Sequence, residues 1–107
     1  MSPEERFDSV VEAFLGLDGV SPPAPERSGF GSGALKVRGK IFAMLVRGQL
    51  VVKLPSKRVA QAIAAEQGEA FDANKGRPMR EWLAIPPESS LDWEASAREA
   101  LAFVGRS

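Results

Sequence analysis

The stretch KVRGKIFAMLVRGQLVVKL, from Lys36 to Leu54, contains the tripeptide Val-Arg-Gly twice. Each Arg-Gly pair fits a two-residue hairpin loop, because glycine readily takes the positive φ that such a tight turn requires. The residues around the two tripeptides do not match, so an internal repeat is not indicated. Turns at Arg38–Gly39 and at Arg47–Gly48 therefore predict a three-stranded antiparallel meander.

Two-residue turns also predict the register of this meander, with Val37 opposite Lys40 and Val46 opposite Gln49. Side chains alternate between the two faces of a sheet, so each residue is assigned to one side. One predicted face is continuous and apolar: Ile41, Ala43, Leu45, Leu50, Val52 and Leu54. The other face is mixed: Leu35, Val37, Lys40, Phe42, Met44, Val46, Gln49, Val51 and Lys53. We expect helices to cover the apolar face.

A first helix is predicted to begin at Pro3, because Ser2 and Glu5 have the spacing of a capping box. Apolar residues at helical spacing then indicate one buried side as far as Leu15. Three prolines argue against regular structure in the segment that follows. A proline- and glycine-rich loop is therefore expected over about residues 16–33.

A second helix is predicted from Ser56, as its N-cap, to about Gln67, with Gly68 as its C-terminal cap. Its inward residues are expected to be Val59, Ala60, Ile63 and Ala64. A hairpin follows, with strands at 69–72 and 80–86 joined by a turn around Gly76.

Ser89 or Ser90 is predicted to cap a last helix, whose apolar residues keep helical spacing: Trp93, Ala97, Ala100, Leu101 and Val104. The predicted order is α-βββ-α-ββ-α. This order is typical of an α+β fold with an antiparallel sheet and helices packed mainly on one face. Residues 1–107 are expected to form a single domain.

The chain contains no cysteine and no histidine among its 107 residues. The first absence excludes thiol chemistry and thiolate metal sites, and the second removes the commonest general base near neutral pH. The glycine-rich GFGSG, residues 29–33, follows a proline-rich loop and enters a strand, which is not the context of a phosphate loop. We therefore expect a non-enzymatic protein with no cofactor and no metal. Without a signal peptide or membrane span, the sequence predicts a cytoplasmic location.

The net charge of zero conceals an uneven distribution. Residues 1–35 sum to −4, residues 36–80 to +7 and residues 81–107 to −3. Either the central segment binds an anionic partner, or acidic helices compensate a basic sheet. In the first case the candidate nucleic-acid-binding residues lie on turns and strand ends: Arg38, Lys40, Arg47, Lys53, Lys75, Arg77 and Arg80. The alternative is a solvated basic face with no partner.

The mixed face of the predicted sheet offers a second candidate site, for a protein partner or a homodimer. Its apolar patch comprises Phe42, Met44 and Val51, with Trp82 as a further candidate. Trp82 and Phe42 are also candidate surfaces on which bases stack. The open alternative is that the proline-rich loop covers this face.

The segment GFGSGALKVRGKIFAMLVRGQLVVKL, followed after a helix by FDANKGRPMREWLAIPP and a last helix, resembles the TfoX N-terminal domain family and the related MmcQ/YjbR-like proteins. The resemblance covers about residues 29–104. It is carried by the glycine-rich entry, by Gly39 to Ala43, and by the Gly76-Arg77-Pro78 turn that leads to Trp82 and Pro86.

The resemblance implies a small bacterial α+β domain with no catalytic residues to transfer. In TfoX-type proteins this domain belongs to a regulator of competence gene expression, and YjbR-like members have been likened to DNA-binding folds with paired wings. The chain departs from many relatives by carrying arginine in the turns at Arg38 and Arg47, where acidic residues are expected. The hypothesis is a binding module in transcription-related regulation, acting through nucleic acid or a regulatory protein. The alternative is a protein-interaction or homodimerisation module that binds no nucleic acid.

Overall fold

The computed structural model describes residues 2–22, 34–72 and 78–106 of the chain. These residues form three helices and six strands in the following order: α1 Pro3–Phe14, β1 Val20–Ser21, β2 Ala34–Val37, β3 Lys40–Val46, β4 Gln49–Lys53, α2 Ser56–Ala64, β5 Glu69–Asp72, β6 Pro78–Ile85 and α3 Trp93–Gly105. The predicted GFGSG loop, the turn around Gly76, and the candidate residues Lys75 and Arg77 lie outside the described residues.

All described strands belong to one antiparallel sheet in the order β1-β2-β3-β4-β6-β5. The sheet joins the predicted meander to the predicted hairpin, because β6 pairs with β4 and places β5 at the edge. The α+β class is confirmed. One strand was not predicted: Val20 and Ser21, inside the segment expected to be a loop, pair with Val37 and Lys36.

Both hairpin turns have the backbone that the Arg-Gly pairs predict. Arg38 and Gly39 have φ of 50° and 82°, and Arg47 and Gly48 have φ of 51° and 78°. Positive φ at both central residues is the signature of a type I′ turn, whose twist matches that of the flanking strands. The predicted pairs on either side of the turns, 37 with 40 and 46 with 49, are confirmed.

A β-bulge changes the faces that simple alternation predicts. Lys36 pairs with Ile41 but Leu35 pairs with Ala43, so Phe42 is an extra residue in β3. Phe42 is fully buried in the core and packs against Phe14 of α1, with ring centroids 5.7 Å apart. The prediction that Phe42 lies on the mixed face is therefore wrong. The same shift brings Leu35 and Val37 into the core and leaves Ile41 half-buried outside it.

One hydrophobic core lies between the sheet and all three helices. The first helix begins as predicted: Ser2 Oγ accepts from the Glu5 amide at 3.1 Å, and Glu5 Oε1 accepts from the Ser2 amide at 2.9 Å. The core combines residues from every layer: Phe7, Val10, Phe14, Leu35, Val37, Phe42, Ala43, Leu50, Val52, Leu54, Val59, Ala62, Leu83, Ile85, Trp93, Ala97, Ala100 and Val104.

The second helix differs from its prediction at both ends. Ser56 is its first residue rather than its cap, and no side chain caps its start. The helix ends at Ala64, and Glu66, with φ of 59°, takes the left-handed conformation that was expected of Gly68. Its buried residues are Val59 and Ala62; the predicted inward residues Ala60, Ile63 and Ala64 are exposed.

The last helix is capped by a residue that sequence reasoning did not choose. Asp92, and neither Ser89 nor Ser90, is the N-cap, and its carboxylate accepts from the Ala95 amide at 2.9 Å. Ser89 instead ties the loop before α3 to the segment that follows α2, because its hydroxyl donates to the Gln67 carbonyl at 2.6 Å. The same hydroxyl accepts from the Leu91 amide at 3.0 Å, so Ser89 also bonds within its own loop.

Candidate functional site

The sheet has one face packed on the helices and one face turned away from them, which we call the outer face. Its central row runs across five strands, as the register shows: Ala34, Met44, Val51, Ala84 and Glu69. Strand alternation adds Val46, Gln49, Lys53, Phe71 and Trp82 to this face. Within the described part of the chain, the outer face thus carries two aromatic side chains, Phe71 and Trp82, both half-buried.

The predicted partner patch is only partly present on the outer face. Val51 points outward but is fully buried, and Phe42 lies in the core, so neither offers an exposed apolar surface. Met44 and Trp82 are half-buried and remain partly accessible. Sequence reasoning missed Phe71. Phe71 lies two residues after Glu69 and so shares its face of β5, and the pairing of Glu69 with Ala84 identifies that face as the outer one.

Arg38, a predicted phosphate contact, has a structural partner. Its guanidinium Nη1 donates to the carbonyl of Gly105, at the end of α3, over 2.7 Å. A cation at this position complements both the unpaired carbonyls and the negative end of the helix dipole. The bond draws the Arg38 side chain toward the helix layer.

The two arginine turns lie at opposite ends of β3. Arg38 precedes Lys40 and Arg47 follows Val46, so the turns are separated by the length of the strand, roughly 20 Å. They cannot grip one short stretch of phosphates as neighbouring tips. Lys40 is exposed beside the first turn, at the end of β3 away from Arg47.

Lys53 and Trp82 form a joint feature on the outer face. They pair directly across β4 and β6, and the Lys53 ammonium lies 5.6 Å from the centre of the indole ring. Lys53 is also 3.9 Å from a carboxylate oxygen of Glu81, an ion pair that is open to solvent. Arg80, which is exposed, precedes Trp82 by two residues in β6. This is the place where the structure brings predicted basic and aromatic residues together.

A pocket of about 350 Å³, which we call the Ala84 pocket, opens beside the second turn. Its walls combine apolar and charged side chains: Val46, Arg47, Gln49, Glu69, Ala70, Phe71 and Ala84. Among the described residues that line it, the pocket has no cysteine, histidine or serine. Among the residues that the structure describes, no three acidic, histidine or cysteine side chains form a group suited to a metal ion.

No helix within residues 2–22, 34–72 and 78–106 combines the length and the apolar character needed to cross a membrane. Comparison of the chain with protein-family models, with curated proteins and with solved structures found no match.

Proposed function

We propose that this protein is a small non-enzymatic binding module of the TfoX N-terminal type, which binds nucleic acid through the outer face of its sheet in transcription-related regulation. The observation that carries the proposal is the pairing of Trp82 with Lys53 on the outer face of the sheet, where both side chains are half-buried. An indole presents a stacking surface to an unpaired base, and an adjacent ammonium attracts the phosphate that follows it.

Three features favour single strands over duplex DNA. The aromatic side chains Trp82 and Phe71 lie on a sheet face, and bases must be unpaired to stack there. The basic residues Lys36, Lys53 and Arg80 are spread over strands rather than gathered on one tip. Arg38 and Arg47 lie roughly 20 Å apart, at opposite ends of β3, so they do not form one cluster of positive charge. The ligand is therefore proposed to be single-stranded, with weak base preference along most of its length.

The experiment is fluorescence anisotropy of a labelled single-stranded oligonucleotide, titrated at low and at physiological salt. We expect affinity to fall steeply with salt, because bound lysine and arginine release counterions from the phosphates. Trp82→Ala should cost about 1 to 3 kcal/mol of binding free energy. Lys53→Gln should weaken binding and flatten its salt dependence.

Lys57→Gln is the matched control, since it removes the same charge from an exposed position on α2, away from the outer face. The proposal is overturned if no oligonucleotide binds at low salt, or if Lys53→Gln and Lys57→Gln have equal effects. A labelled duplex titrated in parallel decides between the two forms of nucleic acid: tighter duplex binding would contradict the single-stranded assignment.

A protein partner or homodimer is the second candidate, favoured by the accessible apolar side chains of the outer face: Met44, Val46, Phe71 and Trp82. Light scattering over a concentration series tests self-association. A mass that rises to that of a dimer, and that Met44→Lys returns to a monomer, would support this candidate; a monomeric mass throughout would exclude the homodimer.

A further inference from the structure

The Ala84 pocket owes its shape to a small residue in the middle of the outer face. Ala84 lies between Val51 of β4 and Glu69 of β5 in the pairing register, and it is only 4% exposed. The methyl side chain of Ala84 is shorter than the side chains of Val51 and Glu69, so the surface of the sheet is hollow at this position. The volume of about 350 Å³ falls at the lower end of the range found for small-ligand sites.

The walls of the pocket combine a flat apolar group with polar groups of defined hydrogen-bonding type. The Phe71 ring and the Val46 side chain supply apolar surface. The exposed Glu69 carboxylate only accepts hydrogen bonds, through two oxygens, whereas the Gln49 amide both donates and accepts. Arg47, at the turn, adds positive charge at the rim. A flat ligand with two adjacent donors and an attached anion matches these groups.

We propose that the Ala84 pocket binds a guanine base. The Watson–Crick edge of guanine presents two neighbouring donors, N1–H and the 2-amino group, which match the two oxygens of the Glu69 carboxylate. The edges of adenine and cytosine present one donor beside an acceptor, and that of thymine or uracil presents one donor between two acceptors. In these other bases, an acceptor atom would face a carboxylate oxygen of Glu69 and be repelled by its lone pairs. Guanine would donate two hydrogen bonds to the carboxylate, and hydrogen bonds to a charged acceptor are among the stronger ones.

The remaining pocket residues complete the recognition of guanine. The Gln49 amide N–H is the donor for O6, which sits beside N1 on the same edge. Phe71 packs against a face of the purine ring, and Arg47 attracts the attached phosphate. This inference rests on the proposed function, because it gives one base preference to a surface that otherwise binds single strands without reading sequence.

The test compares oligothymidylate with the same oligonucleotide carrying one central guanine or one central inosine, which lacks the 2-amino group. Guanine should bind about 5- to 150-fold more tightly than thymine, the range of a good bidentate base contact. Inosine should lie between them. Glu69→Gln should abolish the preference for guanine, because an amide offers one acceptor and one donor. Glu88→Gln, an equal charge change at an exposed loop residue, should keep it.

A second ligand separates failure of this inference from failure of the proposed function. Guanosine monophosphate and adenosine monophosphate are titrated alone, with chemical shifts or calorimetry as the readout. Suppose that oligothymidylate binds in a way that depends on Trp82, but that the guanine- and inosine-containing oligonucleotides bind with equal affinity. The guanine pocket is then overturned, while the proposed function stands. Selective binding of guanosine monophosphate that Glu69→Gln removes supports the pocket even if no oligonucleotide binds. Equal or no binding of the two nucleotides, with no guanine preference in the oligonucleotides, overturns it.

Discussion

Position 68 requires glycine because the neighbouring strand leaves no room for a side chain, and not because its backbone has a positive φ. Sequence reasoning assigned it to the end of α2, but Glu66 takes the left-handed conformation there. A Cβ atom at Gly68 would lie 2.8 Å from the carbonyl oxygen of Ala84 and 2.9 Å from Cδ1 of Leu83, so the chain leaving α2 touches β6 directly. Because the β6 backbone cannot move aside as the end of a flexible side chain can, there is no room for the methyl group of an alanine at position 68.

Gly68→Ala should lower the free energy of unfolding by about 1 to 3 kcal/mol, the usual cost of overpacking. Gly105→Ala is the control, since its added Cβ meets nothing within 4 Å. Gly105 is the last residue of α3, where alanine is the better helix former, so stability should stay equal or rise by up to about 1 kcal/mol. Urea denaturation of both variants measures the difference. Equal losses would contradict the steric account.

Arg38 illustrates which residue roles a sequence conceals. Its turn conformation was predictable from the adjacent Gly39, because turn chemistry depends on immediate neighbours. Its side-chain partner, the carbonyl of Gly105, lies 67 positions away, so no local pattern indicates it. The sequence therefore indicates only a basic residue on a hairpin tip, a candidate phosphate contact, and the bond to the end of α3 appears only in the structure.

At the scale of the element, the strand β3 shows why alternation predicts faces only over short distances. The turns fix the register beside them, and the pairs next to both turns are as predicted. One extra residue, Phe42, then reverses the assignment of Leu35 and Val37. A run that is apolar at every position contains no polar residue to mark the reversal.

Phe42→Ala should cost about 3 to 5 kcal/mol, because a fully buried ring leaves a cavity against Phe14. Met44→Ala, only two residues along the same strand, should cost less than half as much, since Met44 is half-buried on the outer face. Thermal or chemical denaturation compares the two. Equal losses would place Phe42 on the outer face after all and contradict the bulge.

The first two helices begin in different ways, although a serine precedes or opens each. Ser2 and Glu5 bond reciprocally at the start of α1, whereas α2 starts without a side-chain cap. Ser2→Ala should therefore destabilise the protein by about 1 kcal/mol, while Ser56→Ala should change stability little. The midpoints of urea unfolding provide the comparison. A loss at Ser56 equal to that at Ser2 would show that Ser56 caps its helix.

At the scale of the whole molecule, a single core joins residues from α1, α2, α3 and the sheet. A domain of this size with one core should unfold in a single cooperative step. In Trp82→Phe the remaining indole is that of Trp93, which is 2% exposed and reports on the core. Its fluorescence and the far-UV circular dichroism should change at the same urea concentration. Separate transitions would show that the helices and the sheet unfold independently.

The α+β class, both arginine turns, strand β5 and the start of α1 were predictable because each depends on residues within a few positions. The position of β6 between β4 and β5 was not, because strand order depends on contacts distant in sequence. The candidate site was predictable to the same extent: Lys53 and Trp82 were both candidates. Their direct pairing and the pocket at Ala84 could not be predicted, because both depend on the order and register of strands that are distant in sequence.

The strands at the two margins of the sheet have a consequence for the behaviour of the protein at high concentration. β1 is two residues long, and β5 is four residues long with a break in register after Ala70. A growing cross-β assembly needs a straight run of unpaired amides and carbonyls to add each new chain. Within the described residues, margins this short and irregular offer an incoming strand few unpaired backbone groups to pair with. While folded, the protein should therefore tolerate crowding without seeding fibrils, despite a sheet whose inner strands are strongly apolar.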